Sequence, residues 1–197
     1  MSVSRETAEL LAGYAALIRK WNPAINLVAP ATLAGLEYRH IADSAQLFDL
    51  ALPDGGSWID LGSGGGLPAV VIAILARDHP VRFVLVESDR RKSAFLATAR
   101  RELGLSNIAI ENKRIEALVP AQHRYASARA LAPLAELLPQ LSRLLASTGE
   151  AWLLKGRSWR EEVAEARACW SFDLQTYQSV TDPESAVLKL RNIEHNA

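Results

Sequence analysis

Asp60 and Glu87 are two carboxylates at or near the ends of apolar runs, and four glycines stand within five residues between them. The stretch Trp58-Ile59-Asp60-Leu61-Gly62-Ser63-Gly64-Gly65-Gly66-Leu67-Pro68 leads into an apolar run from Ala69 to Ala76. That order reads as strand, tight glycine turn, helix. Glycines let a backbone approach a ligand where a Cβ would block it. The first turn of the following helix offers unpaired N–H groups and a partial positive charge. A nucleotide-like ligand suits such a turn. Arg82 to Glu87 is a second buried strand, and its terminal acid falls about 20 residues past the glycines, where a carboxylate can accept from both ribose hydroxyls of an adenosine ligand. Asp60 lies inside an otherwise apolar strand, so it needs partners. Three are open to it: glycine-loop N–H groups, an amino group of the ligand, or a purely structural hold on the loop.

Further candidates lie downstream and upstream of this unit. Arg129 follows an apolar strand at the carboxyl edge, where sheets of this kind bind ligands. Lys155 ends another strand on the same edge, either as a phosphate contact or as a solvated lysine. Arg39, His40, Asp43 and Ser44 form a polar cluster ahead of the first strand. It is either an ion pair with a capping role or, with Asn22 and Asn26, the mouth of the site. Arg91 and Lys92 open a basic helix face near the same edge. No metal site is expected: the four histidines have no ligand spacing to one another, and Cys169 is the single cysteine. Cys169 reads as a lone, semi-buried thiol on a helix, and no disulfide is possible within one chain.

Alternating elements must carry these residues. Residues 4 to 20 repeat apolar side chains at helical spacing, with Ser4 or Thr7 as cap. Trp21 to Leu27 is predicted as a loop broken by Pro23, Thr32 as the cap of a short helix, and 41 to 50 as another helix. Past the glycine turn come a helix over 67–77, a strand over 82–87, a helix over 90–103 stopped by Gly104, and a strand over 108–111. The chain continues as strand 125–128, helix 131–145, strand 150–155 and helix 159–168, then an antiparallel pair over 172–181 and 186–193. Strands alternating with helices predict a parallel sheet covered on both faces. The chain divides into a helical extension over 1–53 and a sheet domain over 54–197.

The 197 residues suit one large domain with an extension. They are too few for two dinucleotide-binding halves plus a substrate domain, which argues against a nicotinamide oxidoreductase. Hydrophobic content of 49% and charged content of 22% are ordinary for a globular protein. No apolar run reaches membrane-span length, and the polar start is unlike a signal peptide, so a cytoplasmic protein is expected. The zero net charge is unevenly spread: Lys and Arg against Asp and Glu number four to six over 1–58, eleven to seven over 59–130, and seven to nine over 131–197. The positive excess falls in the nucleotide-binding part, which permits a polyanionic substrate.

The chain resembles class I S-adenosylmethionine-dependent methyltransferases, whose α/β, Rossmann-like sheet of seven strands ends in an antiparallel hairpin. More narrowly it resembles the ribosomal RNA small subunit methyltransferase G family (glucose-inhibited division protein B), which methylates guanine N7 in 16S ribosomal RNA. The resemblance runs from Trp21 to Ile193 through ordered motifs: Trp21-Asn22 with Asn26-Leu27, Arg39-His40 with Asp43-Ser44, Asp60 to Pro68, Arg114-Ile115-Glu116, Ser127-Ala128-Arg129-Ala130 and Leu154-Lys155-Gly156. It departs at Gly65, where the family carries proline and glycine should loosen the loop, and at Glu87, where the family carries aspartate. The resemblance implies S-adenosyl-L-methionine as cofactor, held by Asp60, Gly62, Gly64, Gly66, Leu67, Glu87, Ile115, Glu116 and Arg129. It implies ribosomal RNA or a ribosomal subunit as partner, with Asn22, Asn26, Arg39, His40, Arg91 and Lys155 as RNA candidates. Arg129 has two roles open, on the methionine carboxylate or on the target base, and Arg129 and Lys155 are the candidates nearest the chemistry. No general base is required, because guanine N7 carries a lone pair and no proton. Other readings are a methyltransferase acting on another RNA, a protein or a small molecule, and a non-catalytic nucleotide- or RNA-binding module.

Overall fold

The computed structural model describes residues 3–196; Met1, Ser2 and Ala197, the outermost residues of the two expected segments, lie outside it. Seven strands form one sheet in the order β3-β2-β1-β4-β5-β7-β6. They are β1 Gly56–Leu61, β2 Val81–Val86, β3 Ile108–Glu111, β4 His123–Arg129, β5 Leu145–Lys155, β6 Trp170–Gln178 and β7 Ala186–His195. The first five pair in parallel, and β7 runs antiparallel to both β5 and β6. This is the class I S-adenosylmethionine-dependent methyltransferase fold with its C-terminal hairpin. The strand order reverses between β1 and β4, so the carboxyl ends of those strands open a crevice.

Residue alternation along β1 assigns each side chain to a face. Trp58 joins the core under helices α1 (Arg5–Ile25), α2 (Asp43–Ala51), α3 (Ala69–Leu75) and α4 (Arg90–Glu102). Ile59 and Leu61 join the opposite core under α5 (Leu134–Leu144) and α6 (Trp159–Ala166). On the first face, Phe83, Trp58 and Tyr125 stand in register on β2, β1 and β4 and stack at 5.8 and 5.1 Å. The same alternation puts Asp60 on the Trp58 face, paired across β4 with Ser127. Residues of α1 that cover this row, Tyr14, Ala15, Leu17 and Ile18, share one core with the sheet.

Three local expectations are corrected. Helix α1 does not stop at Trp21 but continues through Pro23 to Ile25. Burial of Asn22 and Ile25 holds that last turn, and Asn26 ends it in the left-handed conformation at φ 48°. Asn22 is spent inside the protein, its Oδ1 accepting from Val28 N–H at 2.8 Å. Thr32 caps no α-helix: it lies in a 3₁₀ segment, Pro30–Gly35, followed by a π-helical turn, Glu37–Ala42. Cys169 is exposed, in the turn between α6 and β6.

Candidate functional site

The glycine loop follows β1 with Gly62, Gly64 and Gly66 all at positive φ (64°, 55° and 85°). That left-handed region is open to glycine and costly for other residues. Gly65, where the family carries proline, is held by contacts from α1 and the preceding loop. Tyr14 of α1 donates its hydroxyl proton to Gly65 O. Gly66 N–H donates to Ser63 O at 2.6 Å, and Ser63 N–H to Val86 O at 2.9 Å. A Cβ on residue 65 would stand 3.1 Å from Leu27 Cβ, so the missing side chain is where residues 26–29 close over the loop.

A cleft of about 590 Å³ lies against this loop. Gly62, Gly64, Leu67, Glu87, Ile115, Glu116 and Arg129 line it, together with Leu27, Val28, Ala29 and Lys92. Its volume suits a small-molecule ligand. Glu87 closes one end: its Oε2 accepts from Gly64 N–H at 2.8 Å and its Oε1 from Asp89 N–H at 2.7 Å. Each oxygen keeps a lone pair, which two ribose hydroxyls can use. Asp89 then caps α4, which turns Arg91 outward into solvent and leaves Lys92 on the cleft wall.

Asp60 and Gly66 stand behind the loop, off the cleft wall. A Cβ on residue 66 would meet Val70 Cγ2 at 2.5 Å and Tyr14 Oη at 2.8 Å, so this glycine serves packing. Asp60 is 1% exposed. Trp58 Nε1–H donates to Ser127 Oγ at 2.8 Å, and the Ser127 hydroxyl donates in turn to Asp60 Oδ1 at 2.6 Å. Asp60 Oδ2 has no hydrogen-bond partner among the described residues. Burial pushes the Asp60 carboxyl up to about 6, against the pull of the Ser127 and Ser63 hydroxyls, with Glu87 raising it and Arg129 lowering it further. A carboxyl raised in this way favours folding while protonated. That contribution is fully present below its ordinary value and is lost as pH rises through about 6. Wild type should therefore lose about 1 kcal/mol relative to Asp60→Asn between about pH 5 and about pH 8. Urea midpoints of the two proteins at both pH values measure it, and a constant gap would show that Asp60 does not titrate there.

A second cleft, of about 810 Å³, lies on the other side of Arg129. Arg39, Asp43, Lys155 and Gly156 line it with the β6–β7 turn residues Ser179, Thr181 and Asp182. His40, Arg129, Ala130 and Leu131 belong to both clefts and form the wall between them. The Arg129 guanidinium donates to Asp43 Oδ2 at 3.3 Å and to His40 Nδ1. Burial first, then Arg129 and Arg39, lower His40 to about 4, so its ring is neutral at physiological pH. With Nδ1 accepting, Nε2–H donates to Thr32 Oγ1 at 2.7 Å, and Thr32 donates onward to Ala29 O at 2.7 Å. Asp43 also accepts from Ser179 and Thr181 hydroxyls at 3.1 and 3.0 Å, tying the β6–β7 turn to α2.

Lys155 is not a solvated lysine. It is buried, donating to Ala132 O and Glu162 Oε2, both at 2.7 Å, while Glu162 accepts from Leu134 N–H at 2.9 Å. Its charge is matched, and it holds the loop after β4 in place. Asn26 is exposed but lies outside both clefts, while its neighbours Leu27 to Ala29 line the first. Sequence reasoning had no hold on Leu131, Ser179 or Thr181. The first looks like any apolar residue and the others like ordinary turn residues. Among the described residues no group of three His, Cys, Asp or Glu side chains is placed to hold a metal, and no helix is long and apolar enough to cross a membrane.

The family described as rRNA small subunit methyltransferase G matches residues 7–190. The ribosomal RNA small subunit methyltransferase G of Paracoccus denitrificans (strain Pd 1222) is 53% identical, over 99% of this chain and 100% of that protein. That of Ruegeria sp. (strain TM1040) is 46% identical, over 98% and 95%. Among solved structures, a SAM-dependent methyltransferase from Aquifex aeolicus superposes with TM-score 0.63 at 12% identity, covering 89% of this chain and 96% of the other. Aeropyrum pernix fibrillarin in complex with natively bound S-adenosyl-L-methionine superposes with TM-score 0.59 at 18% identity, covering 78% and 75%. At such identities the structural likeness is one of fold.

Proposed function

Since the chain belongs to the rRNA small subunit methyltransferase G family, we propose that it transfers the methyl group of S-adenosyl-L-methionine to guanine N7 in 16S ribosomal RNA. The observation that carries this reading is the pair of clefts divided only by His40, Arg129, Ala130 and Leu131. A transfer between two bound molecules needs two adjoining spaces, so that the donated methyl and the acceptor atom can touch where the clefts meet. The glycine-loop cleft takes the cofactor and the Arg39–Asp43 cleft takes the target nucleoside.

S-adenosyl-L-methionine would supply a sulfonium-bound methyl, which the N7 lone pair would take as the C–S electron pair returned to sulfur. No proton leaves N7, so the protein needs no base there. Its work is alignment and exclusion of water. Gly62 and Gly64 would lie against the methionine end and ribose of the cofactor, Glu87 would accept from ribose, and Ile115 and Glu116 would flank the adenine. Arg129 would pair with the methionine carboxylate. A guanidinium aimed at N7 instead would oppose the positive charge that the ring acquires in the transition state. Asp43, on the nucleoside side of Arg129, has the sign that offsets that charge. Residues 1–53 act as an extension that closes both clefts, Leu27 to Ala29 on one and Thr32 to Asp43 on the other.

Labelled S-adenosyl-L-methionine and small ribosomal subunits from a strain lacking this gene test the assignment. Labelled 7-methylguanine in 16S RNA is the expected product. Label at another atom would keep the cofactor cleft and refute the acceptor. No transfer, with the cofactor still bound, would favour the RNA-binding module.

A further inference from the structure

We propose that Tyr38 is a stacking platform on the rim of the nucleoside cleft, which receives an unpaired RNA base next to the target guanosine. The inference rests on the RNA methyltransferase reading above. Tyr38 is 58% exposed, unusual for an aromatic side chain that is also fixed in place. Its hydroxyl donates to Val180 O at 2.9 Å, across 142 residues of sequence. Val180 is itself 60% exposed and sits on the β6–β7 turn, where its N–H donates to Gln46 Oε1 at 3.2 Å. Both residues adjoin the cleft wall in sequence: Arg39 follows Tyr38, and Ser179 and Thr181 flank Val180.

The backbone beneath this rim is the π-helical turn Glu37–Ala42. Turns of this kind are rare and recur at functional sites, because the extra residue re-aims neighbouring side chains. Here three consecutive residues take three tasks. Tyr38 faces solvent, Arg39 lines the cleft, and buried His40 bonds the guanidinium of Arg129. A polynucleotide with one nucleoside in the cleft must carry its neighbours over the rim, and the covalent backbone keeps them close. Unpaired bases are recognised by stacking on aromatic rings, and Arg guanidinium planes serve the same end. An ordered aromatic ring beside an exposed arginine has that chemistry. The bond to Val180 orders the ring before RNA arrives, which lowers the cost of binding.

The test compares Tyr38→Ala, Tyr38→Leu and Tyr38→Phe by KM for the RNA, kcat and S-adenosyl-L-methionine affinity. Tyr38→Ala should raise the RNA KM roughly 10-fold with cofactor affinity unchanged, which also reports an intact fold. Tyr38→Leu should resemble it, having apolar area but no π face. Tyr38→Phe keeps the ring and should retain most of the affinity. The proposal is overturned if Tyr38→Ala matches wild type, or if Tyr38→Leu does. It is equally overturned if Tyr38→Phe is as impaired as Tyr38→Ala, since the hydroxyl tether would then be the whole effect. A wild-type protein that methylates no RNA defeats the parent reading, and this one with it, before any variant is compared.

Discussion

Replacing Gly64 by valine will abolish S-adenosyl-L-methionine binding, with affinity reduced by about 100-fold or more, in a protein that still folds. Gly64 has φ 55°, and a Cβ built on it would meet nothing nearer than Gly62 O at 3.8 Å. The new side chain is therefore not driven into the core; it projects toward the cleft that Gly64 lines. The left-handed backbone costs roughly 1–2 kcal/mol in stability. The larger loss comes from branched carbon placed where the loop must touch its ligand. The Gly64 N–H bond to Glu87 couples the strain to the carboxylate proposed to bind ribose as well. Calorimetric titration with the cofactor, beside a urea midpoint, separates the two effects. Gly66→Ala provides the contrast: its Cβ would collide with Val70 and Tyr14, so it should lower the midpoint without adding bulk to the cleft. Wild-type cofactor affinity in Gly64→Val would refute the placement of the cofactor against this loop.

The second large effect belongs to Arg129→Ala, for which methyl transfer should fall at least about 100-fold, the scale seen when a bound reactant is displaced by about an ångström from its partner. Cofactor affinity should weaken by about 10-fold, from loss of one charge-assisted pair with the methionine carboxylate. The fold should survive. Asp43 keeps the hydroxyls of Ser179 and Thr181 and the amide of Gln46 as donors, and His40 keeps Thr32. Arg129→Lys should not restore activity, because one ammonium cannot reproduce the fork that meets Asp43 and His40 together. Full transfer in Arg129→Lys would mean that a point charge suffices at the wall. Undiminished cofactor binding in Arg129→Ala would move this residue from the cofactor to the base.

Much of this architecture was written locally. The periods of 2 and 3.6 along the chain, the capping residues Ser4 and Asp89, and the glycine turn after β1 are all properties of a few adjacent residues. Hence the alternation of strands and helices, the antiparallel closing hairpin and the glycine turn are legible from the sequence. The motif series added the family. Helix α1 runs past Trp21 because the local breaker Pro23 is outweighed by burial of Asn22 and Ile25, which only the packed helix provides.

What the tertiary structure alone decided is which polar side chain meets which. Asp60 finds Ser127 because parallel pairing of β1 and β4 puts them in register across 67 residues. Lys155 loses its solvent because α6 brings Glu162 to it. Arg129 becomes the wall between two clefts because His40 and Asp43, on different elements 86 to 89 residues earlier, converge on its guanidinium. Local sequence sets backbone conformation through short-range sterics and hydrogen bonding. The environment of a charge depends on groups distant in the chain, and burial and partners together fix whether that charge is a ligand, a tie or a solvated surface group.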